Sequence, residues 1–168
     1  LDDLDGDGDL DLLEGCMTDD DYVYLNDGAG DFTESLTSYA TGGVEELRTG
    51  DLDGDGDVDY VACGLMTGLA VWMNDGTGAF EDQSVRRGIH QASLPYTGFG
   101  TAWFDFDNDS WLDLLAVNGD VNRTVKSLGQ KDDPFPVGQR KQLFRNMGGT
   151  FEDVTARARL EEQLQISD

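Results

Sequence analysis

Three nine-residue strings in this chain carry carboxylates at alternate positions: DLDGDGDLD at 3–11, DLDGDGDVD at 51–59 and DFDNDSWLD at 105–113. Together they hold 14 of the 35 acidic residues. Like charges this dense repel one another and would keep a segment extended, so the pattern needs a physical reason. If each loop curls, the carboxylates at loop positions 1, 3, 5 and 9 converge with the backbone carbonyl at position 7. Glycine at position 6 permits the tight turn with positive φ. Hard oxygen ligands at high negative charge select Ca2+, which accepts about six to eight oxygens in flexible geometry. Mg2+ suits the pattern less, because it demands near-octahedral geometry and keeps its waters.

The expected ligand sets follow from the register. The first loop offers Asp3, Asp5, Asp7 and Asp11 with the Asp9 carbonyl. The second offers Asp51, Asp53, Asp55 and Asp59 with the Asp57 carbonyl. The third offers Asp105, Asp107, Asp109 and Asp113 with the Trp111 carbonyl, but Ser110 stands where the glycine belongs. That turn is expected to be strained or differently shaped, and its site the weakest. Up to three Ca2+ would take the formal charge from −24 to −18. Two other readings of such strings exist. An EF-hand loop opens in the same way, and the first loop has Gly8 at position 6 and Glu14 at position 12. The second and third have Ala62 and Ala116 where the bidentate Glu belongs, and the flanking segments are short and β-like. A solvated acidic loop without metal is the other reading, and three matching loops count against it.

The loops belong to a larger unit that returns. Their starts lie 48 and then 54 residues apart, and each is followed by a second element: YLNDGAGDFTE, WMNDGTGAFED and FRNMGGTFED. From the first loop Asp to the Asn of that element is 23 residues in the first two units and 41 in the third. The third unit therefore carries an 18-residue insertion, placed within 118–140. Each loop runs into a short apolar stretch, LDLLEGC, VDYVACG or WLDLLAVNG. Leu112, Leu114 and Ala116 fall on one face of such a strand, and Leu115 and Val117 on the other. Apolar residues on both faces suggest a strand between neighbouring sheets. Next come an apolar run, a glycine-bearing turn and a strand opening at Phe32, Phe80 or Phe151, which reads as a hairpin. VEELRTG and GFGTAWF are expected first strands of the second and third units.

The fold expected is all-β: β-propeller blades of four-stranded antiparallel sheets, about three of them, at roughly 1–40, 41–90 and 91–160. The first unit lacks its leading strand, residues 156–168 read as a lead-in to another blade, and three blades do not close a ring. The expectation is a fragment of a longer propeller.

The DxDGDGxxD loop followed by NDGxGxF resembles the FG-GAP (VCBS-type) repeat of integrin α-subunit propellers and many bacterial surface proteins. GFGTAWFDFDNDSWLDLLAVNG with QLFRNMGGTFEDVT is similar to the ASPIC/UnbV-associated, cartilage-acidic-protein-like branch. The resemblance runs from Asp3 to about Thr155. It implies a seven-bladed, usually secreted propeller with Ca2+ in the blade loops, and it implies no reaction. Ser110 at the loop glycine, and the lack of a C-terminal ASPIC/UnbV domain within this fragment, depart from the pattern.

Composition bounds the function further. With 11 basic residues against 35 acidic, the surface does not suit nucleic-acid phosphates. No apolar run approaches a membrane span. Cys16 and Cys63 could pair, but no sequence rule says that they do. His90 is the single histidine, no nucleophile motif is visible, and an enzyme is not expected. Trp72, Trp103 and Trp111 fit core packing better than a sugar platform. Six of the 11 basic residues, Arg123, Lys126, Lys131, Arg140, Lys141 and Arg145, lie in or just after the insertion, which suits contact with an acidic or glycan partner. The function expected is a secreted or cell-surface calcium-binding scaffold for an extracellular protein or glycan. A carbohydrate-active module, lectin or lyase, is the alternative.

Overall fold

A computed structural model describes residues 1–18, 20–39, 43–64, 67–119 and 139–158. Most of the insertion, including Arg123, Lys126 and Lys131, lies outside these residues, as does most of the 156–168 lead-in. Among the described residues, eleven strands form three antiparallel meanders. The first sheet joins β1 (Leu12–Glu14), β2 (Asp21–Asn26) and β3 (Phe32–Tyr39). The second joins β4 (Val44–Gly50), β5 (Asp59–Gly64), β6 (Gly68–Asn74) and β7 (Phe80–Asp82). The third joins β8 (Gly98–Phe104), β9 (Asp113–Asn118), β10 (Gln142–Asn146) and β11 (Phe151–Asp153). Two four-residue helices, α1 (His90–Ser93) and α2 (Thr155–Ala158), follow the second and third sheets. The two anticipated first strands coincide with β4 and β8.

Period-two alternation explains how the sheets stack. On β5, Tyr60 and Ala62 enter a core with Leu4, Val23, Tyr39, Val44, Trp72 and Phe80, on the side of the first sheet. Val61 and Cys63 face the other way, into a core with Leu52, Leu69, Val71, Met73, Leu114, Ala116, Phe144 and Phe151 on the side of the third. All six β5 residues are buried. Tyr39, Tyr60, Trp72 and Phe80 interlock in the first core, with Tyr60 and Trp72 stacked at 6.0 Å and the remaining contacts edge-on. The outer sheets are apolar on both faces too, but each covers only one. Leu114 and Ala116 are buried, while Val117 on the opposite face of β9 is 40% exposed and Leu12 on β1 is 38% exposed.

Polar ties reinforce the stacking. Between β4 and β8, Glu46 accepts the Thr101 N–H and Arg48 Nε donates to the Thr101 carbonyl, so both backbone groups of Thr101 are held by the neighbouring sheet. Cys16 and Cys63 are not joined by a disulfide.

Candidate metal centres

Each Asp-rich loop joins the first region of its unit to the second strand, and its curl is built from backbone N–H groups donated to the loop's own carboxylates. In the second loop, Asp51 at position 1 accepts the N–H of Gly54 at 2.7 Å and of Gly56 at 3.2 Å. Asp55 at position 5 accepts the Asp57 N–H at 2.9 Å, an Asx-type turn. Asp59 at position 9 is fully buried and spans two elements, taking the Leu52 N–H and the Asn74 N–H, both at 2.9 Å. The first loop repeats this scheme, and the third repeats it with one position-1 bond moved from the fourth N–H to the fifth. Asp3 accepts Gly6 and Gly8, Asp7 accepts Asp9, and Asp11 accepts Leu4 and Asn26. Asp105 accepts Asp109 and Ser110, Asp109 accepts Trp111, and Asp113 accepts Phe106 and Asn146.

The curl gathers three carboxylates in each loop. Asp3, Asp5 and Asp11 each bring one oxygen within 4.8 Å of the others; so do Asp51, Asp53 and Asp59, and Asp105, Asp107 and Asp113. These are positions 1, 3 and 9 of the expected sets. The position-5 residues Asp7, Asp55 and Asp109 lie outside the triads. Position 7 sends its side chain toward the hairpin turn: a Cβ on Gly28, Gly76 or Gly148 would meet Asp9, Asp57 or Trp111 respectively. The donors are all hard carboxylate oxygens, and in the second triad Asp53 Oδ1 is buried without a hydrogen-bond partner.

Crowding shows in the acidities. Burial, with the charges of Asp53 and Asp55 nearby, pushes Asp59 up to about 6, against the two backbone N–H bonds that hold it down. Burial also raises Asp113. Asp109 moves the other way, lowered by the Trp111 N–H and then by Arg145.

Sequence reasoning expected the Ser110 turn to be strained or differently shaped. Asn108 and Ser110 take φ of 61° and 72°, where the second loop has Gly54 and Gly56 at 76° and 97°. The third loop thus keeps positive φ at the same two positions with side chains attached, which is strained, and it differs in one bond: Asp105 takes the N–H of position 5 where Asp51 takes that of position 4.

Three features were not read from the sequence. First, the hairpin asparagine is a clamp between units. Asn74 Nδ2 donates to Leu4 O in the first loop at 2.7 Å and to Val58 O in its own at 3.0 Å. Asn146 repeats this with Leu52 O and Leu112 O at 2.8 and 3.1 Å. Their Oδ1 atoms accept N–H groups of the hairpin turns. The recurring N of NDG was the visible signal. Second, arginines reach two of the loops. Arg87 Nη2 contacts Asp53 Oδ2 at 2.7 Å. Arg145 contacts Asp107 at 2.6 Å and Asp109 at 2.9 Å. Arg140, another cation assigned to the insertion surface, pairs with Asp153 at 3.3 Å. Third, Trp111 is a loop residue rather than a strand residue, half-buried beside Gly54 of the preceding loop. Trp72 is core and Trp103 packs against the second core, as anticipated.

The FG-GAP-like repeat family profile matches residues 3–62 and 51–116, two overlapping spans that each begin at an Asp-rich loop. The chain belongs to the FG-GAP-like repeat family. No curated protein matches it. Among solved structures it is similar to an Agrocybe aegerita lectin whose structure describes specific recognition of non-reducing terminal N-acetylglucosamine, at a TM-score of 0.54 and 23% identity. The likeness covers 89% of this chain and 35% of the lectin, so the chain spans about a third of that protein's length. At this identity the shared property is the fold of these FG-GAP-like units.

Proposed function

We propose that these FG-GAP-like units form a calcium-binding, non-catalytic scaffold that presents a surface to an extracellular protein or glycan. One observation carries the reading: the same triad of carboxylates returns three times on the same backbone, with a buried, unpartnered oxygen on Asp53 in the middle one. Hard oxygens at this charge density suit Ca2+, and millimolar extracellular calcium suits loops of modest affinity. A bound ion would supply charge neutralisation at the triads. The chain's own residues do the rest. Position 1 and position 9 fix the curl through backbone N–H bonds, and the asparagine clamps pass that order to the next sheet. Within the family, the DFDNDSWLDLLAVNG and FRNMGGTFEDVT motifs support the ASPIC/UnbV-associated branch, with a ring of seven blades and a secreted or cell-surface location.

The test is a melting curve with chelator and with added calcium, joined to calorimetric titration. Calcium at about a hundredfold excess over Kd stabilises by roughly 2.7 kcal/mol per site. Asp53→Ala and Asp55→Ala should each remove part of that gain. A flat titration and an unmoved Tm reject the reading.

A second reading, a glycan-binding module, is favoured by the likeness to the lectin. Phe104 and Phe106, with centroids 6.4 Å apart, flank Asp105 at the start of the third loop and supply an aromatic and carboxylate surface of the kind sugars use. A glycan array decides the partner: saturable sugar binding supports the second reading, and indifference leaves the scaffold with a protein partner.

A further inference from the structure

The two loop arginines sit in different surroundings, and the difference predicts opposite effects on calcium. Arg87 is anchored away from the carboxylates as well as on them. Its Nε donates to Gln83 Oε1 at 3.0 Å and its Nη1 to the Gly149 carbonyl in the third unit at 2.8 Å. Only Nη2 reaches the loop, and it takes Oδ2 of Asp53, leaving Oδ1 of the same carboxylate unpartnered. An arginine fixed in this way holds Asp53 with one oxygen free. Arg145 has no such outside anchor among the described contacts. It meets Asp107 and Asp109 together, two of the four carboxylates assigned to the third loop. In the first loop no cation pairs with Asp3, Asp5, Asp7 or Asp11 among the described residues, and Arg48 is the only basic residue before position 86.

We propose that Arg145 is a resident counter-ion that lowers the calcium affinity of the third loop, whereas Arg87 is a positioning residue that supports calcium binding in the second. The inference rests on the calcium reading above. Its physical basis is that the Arg145 guanidinium pairs with two of the four third-loop carboxylates that a divalent ion would need, while Arg87 takes one oxygen of a single carboxylate and is held by Gln83 and Gly149 outside the loop. The loops therefore fill in order, the first and second before the third.

Calorimetric titration of the chelator-treated protein with calcium chloride tests this. The wild type should show two tighter steps and one weaker step, and Asp107→Asn should delete the weak one. Arg145→Gln should tighten the weak step by about tenfold, the scale of removing one like charge a few ångströms from a divalent ion in a solvated site. Arg145→Lys, which keeps the charge, should leave it weak, and it guards against an effect of lost packing. Arg87→Gln should weaken one of the tight steps by a similar factor. Three equivalent steps, a third step unmoved by Arg145→Gln, or a tight step deleted by Asp107→Asn would each overturn the proposal while leaving the calcium reading intact. No heat in the wild type would sink the calcium reading itself.

Discussion

The second and third units share a backbone and differ in what is hung on it. Their loops curl alike, their position-9 aspartates hold the same two N–H groups, and their asparagines clamp the preceding loop in the same way. Yet the second loop turns on glycines and keeps a carboxylate oxygen free, whereas the third turns on Asn108 and Ser110 and has two carboxylates paired to Arg145. The sheets differ in the same sense. Cys63 is 1% exposed while Val117, at the equivalent position 54 residues on, is 40% exposed. Backbone hydrogen bonding thus specifies the unit, and side chains specify what each copy does with it.

The largest expected effect tests what the two units share. Asp59→Ala and Asp113→Ala should each destabilise the calcium-free protein by about 3–5 kcal/mol, because each leaves two N–H groups without their acceptor. Chemical denaturation in chelator measures this, and a cost below about 1 kcal/mol in either loop would show that the buried aspartate does not organise the curl.

Packing should then separate the units. Val61→Ala, in the sheet covered on both faces, should cost about 2–3 kcal/mol, whereas Leu115→Ala at the equivalent half-exposed position should cost about 1 kcal/mol or less. Equal costs in the same denaturation assay would mean that the outer face of the third sheet is as well packed as the middle one.

A smaller change should relieve the strained turn. Ser110→Gly is expected to stabilise by about 0.5–1 kcal/mol, since glycine takes positive φ without a Cβ clash, and Gly56→Ser should lose a similar amount. Two substitutions of the same sign would break the idea that both loops share one backbone.

The gentlest probe is chemical. Burial, with Glu46 nearby, pushes the Cys63 thiol up to about 11. The thiolate is the reactive form, so at pH 8 roughly one molecule in a thousand is reactive, and alkylation should accelerate as pH rises toward 11. Cys16, only partly buried, should label first, and a Val117→Cys variant should label faster than Cys63. Mass spectrometry of timed alkylation reads all three.

Much of this was legible in the residues. Asp and Gly at fixed offsets dictate local backbone hydrogen bonds and positive φ, which involve neighbours within about nine residues, so the three curls and the hairpins after Asn26, Asn74 and Asn146 could be read directly. Alternating apolar residues on both faces of VDYVACG announced a strand between two sheets. The helices α1 and α2 were not anticipated, because four residues carry too little periodicity to register. For the same reason of range, the site was only partly legible. Spacing gathered five candidate positions per loop, but it could not say that positions 1, 3 and 9 would meet while position 5 turned to its own backbone.

What the sequence determined alone was the repeating unit: where it curls, where it turns and which oxygens it offers. Only the tertiary structure decided what each unit meets. Asn146 reaches a carbonyl 94 residues earlier, Arg145 a carboxylate 36 residues earlier, and Arg87 a carbonyl 62 residues later. Contacts of that length depend on how sheets stack, and stacking is set by the sum of buried apolar faces rather than by any local rule.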